Sequence, residues 1–347
     1  AFVAQVFIAP LADRGRARQL ILLGVCADIV GLLLMGFGTT LEVLLIGRVI
    51  SGVGIGTAIP AVRRIVILAD PDHLGENLGR LLSADVFGFA LGPAISAVLV
   101  GPFGLSAPFI AVATVSATCV LVVSWFDVEE SAEESTQTLA VDLLRSRVVA
   151  GAIALGCAVF IMIGAFDALW DVVHEDLNTN DWLANLGITL FALPIVIFGP
   201  TSGRLAQRVG PFRIGSLGLL VGAAFMITYG QLPSGGWIFA VGMFHAVADG
   251  LSVASSGVAI SLSVPEERQA GAQGLMGAAQ SVTAGITAVV VGALYEGPGR
   301  AVAYGVTGIG MLVFVAAGVW LAWPFIQDRN RGLLAADPEP EPYAGSR

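Results

Sequence analysis

Apolar residues run through this chain in stretches of about twenty, broken by short clusters of Gly, Pro and charged residues. Ten stretches, roughly 20–38, 40–62, 78–100, 105–125, 148–170, 183–203, 212–231, 236–260, 272–295 and 300–323, are each long enough to cross about 30 Å of hydrocarbon as a helix. An eleventh, at 1–11 (AFVAQVFIAPL), would span roughly 16 Å at 1.5 Å per residue, half of what is needed. It has no initiator Met, and a free ammonium at mid-bilayer is costly. It therefore reads as the inner half of a span whose outer half is missing, together with one whole span before it. The pattern predicts an all-α polytopic membrane protein.

The longest polar break, 126–147, is acidic and rich in Ser and Thr, with Leu139, Val141 and Leu143 spaced for a short surface helix. It divides the chain into an N-terminal helical half (1–125), a linker (126–147), a C-terminal helical half (148–325) and a tail (326–347) whose AADPEPEPYAGSR composition predicts disorder. The arginines give the orientation. Arg14, Arg16, Arg18, Arg63, Arg64, Arg80, Arg145, Arg147, Arg204, Arg208, Arg213, Arg268, Arg329, Arg331 and Arg347 fall on one side of the alternating topology, whereas the other side keeps Arg300 alone and Arg48 lies within a span. By the positive-inside rule that side is cytoplasmic, and the C-terminus with it.

Composition narrows the picture without changing it. Hydrophobic residues make up 56% of the 347 and charged residues 12%, far below the quarter or so of a soluble domain. The 44 glycines suit helices that approach closely. The net charge of −9 comes from tails and loops and does not point to nucleic acid. Cys26, Cys119 and Cys157 each lie within a span, with no CxxC or Cys/His cluster, so they read as buried packing thiols and not as metal ligands.

The two halves echo each other. Leu11-Ala12-Asp13-Arg14 matches Leu205-Ala206-Gln207-Arg208 at an offset of about 194, and the segment from Gly79 to Asp85 aligns with that from Gly274 to Gln280 at about 195. Parallel repeats with a cavity between them are a common transporter plan.

Motifs sharpen this. The loop from Ala9 to Arg18 resembles the loop 2–3 signature G-x-L-A-D-R-x-G-R-[KR] of the major facilitator superfamily. It has Ala9 in the first Gly position, and Gly15 comes one position early. The copy from Gly203 to Arg213 keeps both glycines, Gly203 and Gly210, and has Gln207 in place of the acid. Such a loop offers a tight Gly turn, an acid that can cap a helix N-terminus and arginines for headgroups or carboxylates. Asp13, Arg14, Gly15 and Arg18 in one half, and Gly203, Arg204, Gln207, Arg208 and Gly210 in the other, are thus candidate conformational latches. The stretch Arg48-Val49-Ile50-Ser51-Gly52-Val53-Gly54 resembles the superfamily's helix 4 pattern, with Ser51 in a Gln position. The stretch from Gly88 to Ser96, with Gly92 and Pro93, resembles the helix 5 pattern of members that exchange substrate for protons. The resemblance implies two six-helix halves, here lacking helix 1 and the outer half of helix 2. It also implies a monomer in the inner membrane that moves a small molecule without a cofactor, on the proton gradient.

Ionisable residues at membrane depth should face a cavity or a partner. Arg48 lies ~12 Å below the outer end of helix 4 and by resemblance would line the cavity; the other reading is a structural ion pair. Asp85 either titrates as the cavity changes access or holds helix ends permanently. His245 and Asp249, four apart on one helical face, are either a proton relay or satisfied buried polar groups. Asp167 and Asp171 form an acidic outer vestibule beside Trp170 and Trp182, which read as interface anchors. Gly88, Gly92 and Pro93 read as a hinge, because Pro removes a helical hydrogen bond and small residues permit close contact. The expected function is proton-coupled export of a small amphipathic molecule. The alternatives are a symporter or facilitator for a sugar or organic acid, or an inactive truncated remnant.

Overall fold

The computed structural model describes residues 1–125 and 139–331. Most of the linker and of the tail, 126–138 and 332–347, lie outside the described residues. What is described is helical throughout: a short helix α1 (Phe2–Phe7), a 3₁₀ segment (Ala9–Arg14), and ten helices long and apolar enough to cross a membrane. These are α2 (Ala17–Phe37), α3 (Leu41–Ala69), α4 (Leu74–Phe103), α5 (Ala107–Trp125), α6 (Arg147–Asp176), α7 (Asp181–Val209), α8 (Pro211–Tyr229), α9 (Gly235–Ser261), α10 (Gln269–Glu296) and α11 (Arg300–Asn330).

Several helices run past the apolar stretches that announce them. A helix needs only its own backbone hydrogen bonds to continue into the headgroup region, so a charged residue does not stop it. α3 continues to Ala69, where Asp70-Pro71 ends it, and carries Arg63 and Arg64 inside its last turns. α11 continues to Asn330, beyond the expected start of the tail at 326. Between the halves, Val141–Arg145 forms a single 3₁₀ turn. There Arg268 donates to Asp142 at 2.7 Å and holds its carboxyl below the usual range.

Glycine decides where helices touch. A Cβ on Gly54 of α3 would stand 2.4 Å from the Gly24 carbonyl oxygen of α2, and one on Gly31 would stand 2.6 Å from that of Gly47. Backbone packs on backbone along this pair, and Ser51 of α3 donates a short hydrogen bond to Asp28 of α2. α6 and α8–α11 enclose the main apolar core, which includes Leu155, Met162, Leu219, Met226, Met276 and Met311. Cys26 and Cys119 are exposed on α2 and α5, against the expectation of burial, and only Cys157 is buried. Thiols of modest size sit as readily among lipid tails as in a core.

Candidate functional site

α4 and α7 lie antiparallel and in contact at the arginine-rich end. A Cβ on Gly75 would meet the Gly203 carbonyl oxygen at 2.2 Å, one on Gly203 would meet that of Gly75 at 1.8 Å, and one on Gly79 would meet that of Gly199 at 2.2 Å. Further along, Ser83 donates to the Val196 carbonyl at 2.7 Å and Thr189 to that of Ala90 at 3.1 Å. Gly88, Gly92 and Gly101 of α4 lie off this contact: a Cβ on any of them would meet nothing within 4 Å. α4 is one unbroken helix through Pro93. Close contact at Gly88 and Gly92 is therefore absent here, and the glycines that need their missing side chains are Gly75, Gly79 and Gly203.

Two polar caps close the same end. Asp13, 1% exposed, accepts from the backbone N–H groups of Ala270 (2.9 Å) and Gly271 (2.7 Å) in the first turn of α10. It also accepts from Arg64 Nε at 3.0 Å, and Arg64 is itself 2% exposed. The carboxylate thus meets orphan donors at the positive end of a helix and a guanidinium from α3. Burial pushes its carboxyl up to about 6, against the opposing pull of Gly271, Ala270 and Arg64. Gly15 ends the 3₁₀ segment with φ 71°, a left-handed turn that Gly takes without strain. Arg18 donates to the Ser124 carbonyl at 2.6 Å, and Arg14 is half-buried.

At the related position of the other half, Gln207 does the same for α4. Its Oε1 accepts from Gly75 N–H at 2.7 Å, and its Nε2 donates to the Pro71 and Asp72 carbonyls. Arg204 reaches Glu76 at 2.9 Å, and Glu76 also pairs with Arg80 at 2.7 Å. Arg208 is exposed, and Gly210 ends α7 at φ 121°. Each half therefore caps a helix of the other. Because a neutral amide cap is worth about 1 kcal/mol, Gln207→Ala should weaken closure of this end only several-fold. Spin-label distances across it, compared with wild type, would read that.

Above the closed end lies a cavity of about 340 Å³, lined by α3 and α4 on one side and α6, α7, α9 and α10 on the other. Phe89, Phe160, Phe166, Phe191 and Met276 are among the apolar side chains of its wall. Its ionisable groups are Arg63, Asp85, Asp167, His245 and Asp249. Arg63 also donates to Gln273 Oε1 at 3.3 Å. His245 is fully buried and Asp249 is 6% exposed. Their Nε2 and Oδ1 atoms are 3.1 Å apart, close enough for an ion pair but without the alignment of a hydrogen bond.

Of the sequence candidates, the structure brings Asp85, Asp167, His245 and Asp249 to one cavity. It does not bring Arg48, which is exposed on α3 and absent from the lining. Arg63 and Arg64, counted in the sequence among the arginines of one side, point inward from the last turns of α3, one to the cavity and one to Asp13. The signal was present in Asp70-Pro71, a stronger helix stop than two arginines. Gln273 and Gln280, seven residues apart, form a polar stripe on α10 that helical spacing would also reveal. Trp170 is no interface anchor: it is 5% exposed, and its indole N–H donates to the Ala184 carbonyl at 2.9 Å.

Comparison with known proteins gives a consistent picture. Residues 1–179 and 151–344 each match the family model described as Major Facilitator Superfamily. Multidrug resistance protein MdtG of Salmonella paratyphi C is 24% identical over 236 residues, 65% of this chain and 58% of that protein. MdtG of Enterobacter lignolyticus is also 24% identical, over 65% of this chain and 56% of its own length. The chain thus aligns with little more than half of these curated relatives. Among solved structures, the human organic anion transporter MFSD10 superposes with a TM-score of 0.76 at 16% identity, over 91% of this chain and 81% of that one. The fucose:proton symporter FucP of E. coli does so with a TM-score of 0.73 at 13% identity, over 92% and 88%. The fold is that of these transporters, the protein is an integral, multi-pass membrane protein, and the chain belongs to the major facilitator superfamily.

Proposed function

We propose that these residues form the greater part of a transporter that exports a small amphipathic molecule in exchange for protons, by alternating access, with the arginine-rich end in the cytoplasm. The observation that supports this best is the cavity itself. Both halves line it, its walls are largely aromatic and aliphatic, and it holds three carboxylates and one His against a single Arg. An apolar wall binds many amphipaths by area alone. Buried acids are costly when charged, so they exchange protons as their solvation changes. The multidrug resistance proteins among its relatives support the same substrate class. The symporter among its structural neighbours keeps the opposite coupling as the alternative.

The test is transport of ethidium by the full-length protein in proteoliposomes, with and without an imposed pH gradient. Dye should move opposite to the protons, and Asp249→Asn should cut gradient-driven flux by at least tenfold. Movement with the protons would favour the symporter, and flux indifferent to the gradient would overturn proton coupling.

A further inference from the structure

One polar group near the cavity is unused by the reading above. Tyr229, the last residue of α8, is 2% exposed and places its hydroxyl 3.0 Å from Nδ1 of His245 on α9. The ring of His245 is held among aromatic side chains, with Phe225 at 5.1 Å and Phe191 at 6.3 Å between centroids. On its other edge, Nε2 is 3.1 Å from Asp249 Oδ1. The imidazole thus stands between a phenol and a carboxylate.

These two neighbours are not equivalent. A phenol both donates and accepts, whereas a carboxylate only accepts. Neutral imidazole has one N–H and one bare nitrogen, and the partner of one nitrogen decides the state of the other. With Asp249 ionised, a bare Nε2 would turn its lone pair toward negative charge. With the phenol donating to Nδ1, the single imidazole proton sits on Nε2 and faces the carboxylate.

We infer that Tyr229 is a positioning residue for the cavity's proton site, fixing His245 as the Nε2–H tautomer so that an N–H, and not a lone pair, faces Asp249. This inference rests on the proton-coupled reading of the cavity. An N–H turned toward a carboxylate 3.1 Å away favours its charged form through the dipole alone, without an aligned hydrogen bond. Tyr229 therefore acts on Asp249 through His245 and keeps the pair from taking up its proton too early. The other titratable groups around the pair are Asp167 on α6, Asp85 on α4 and Arg63 on α3, across the cavity, and Tyr304 on α11, behind Tyr229. The faces that α7 and α10 turn to the cavity carry no titratable side chain: Ile188, Phe191, Ala192 and Ile195 on one, Gln273, Met276 and Gln280 on the other.

Tyr229→Phe removes the hydroxyl and keeps the ring. The imidazole can then carry its proton on Nδ1, leaving Nε2 to accept from protonated Asp249, so the pair protonates more readily. The pH at half-maximal ethidium flux should rise by about one unit, while the KM at alkaline pH should change less than threefold. Tyr304→Phe removes a hydroxyl one shell farther out, on a ring 5.8 Å from that of Tyr229, and should leave the pH profile in place. An unchanged profile in Tyr229→Phe, or equal shifts in both variants, would overturn the role. The wild-type protein gives an answer that needs no variant to fold or transport. With ¹⁵N-histidine labelling, and His245 assigned by its loss in His245→Asn, neutral His245 should show a protonated Nε2 and a bare, hydrogen-bonded Nδ1. A proton on Nδ1 would overturn the inference directly. The expected tautomer without any gradient-driven flux would instead overturn proton coupling and leave the positioning geometry standing.

Discussion

Replacing Asp13 by alanine should open the arginine-rich end. The substitution removes two acceptor contacts from the first turn of α10 and takes a carboxylate away from Arg64, which is 2% exposed. Deleting one partner of a buried ion pair typically costs about 3–5 kcal/mol. If the groups become hydrated when the halves part, as the proposed cycle requires, the cost falls on one conformation. Closure should weaken by roughly two to three orders of magnitude. Spin labels at exposed Arg16 and Glu266, one in each half, would report it in a background without the three cysteines. The expected result is a shift of most molecules to a longer distance; an unchanged distribution would mean that the cap does not hold the end shut.

The same carboxyl gives closure a pH dependence with a definite sign. Its proton is held with a pKa of about 6 when capped, above the ordinary 3.8 that hydration would restore. The closed state therefore binds the proton more tightly. Closure is strongest below about pH 4 and weakens as pH rises through 6. Asp13 thus caps α10 through its oxygen acceptors, while its charge is a burden that the partners only partly offset. In Asp13→Ala this pH response should vanish.

Valine at position 203 should be as damaging by another route. The closed end needs the Gly203 Cα within reach of the Gly75 carbonyl, where a Cβ would stand 1.8 Å from the oxygen. No rotamer relieves a clash made by Cβ with backbone, so α4 and α7 must separate. They belong to different halves, and the packing within each half is untouched. Gly203→Val should therefore lose at least a hundredfold in transport with little loss of thermal stability, leaving the arginine-rich end open. Gly257→Ala, where α9 meets α4 beside the cavity, should be far milder, since its Cβ would make an ordinary 3.8 Å contact with Leu78. Wild-type flux in Gly203→Val would show that this glycine contact is not part of the cycle.

The helices were legible because each must hide its backbone from lipid, which forces long apolar runs whatever the tertiary structure. Helix ends were less legible: an arginine in the headgroup region and an arginine turned inward have the same local sequence, so the inward direction of Arg63 and Arg64 could not be read from it. Asp13 was legible as a helix-capping acid, but not which helix it caps, because that depends on contacts some 257 residues apart. His245 and Asp249 share a face by spacing alone, yet Tyr229 joins them only through the crossing of α8 with α9. Gly88 and Gly92 lie on a face of α4 with open space beside them, while Gly75 and Gly79 meet α7 backbone to backbone. Small residues permit approach but do not say on which face of the helix the partner comes near.

The central claim is that one cavity is closed at the arginine-rich end by the two caps and opens there when its other end shuts. The most direct test follows two spin-label distances in the same membranes, Arg16 to Glu266 at the arginine-rich end and Val98 to Trp182 at the other, across pH and with ethidium added. All four positions are exposed. Reciprocal changes, one distance lengthening as the other shortens, are the expected result. Two distances that stay fixed, or that lengthen together, would contradict it.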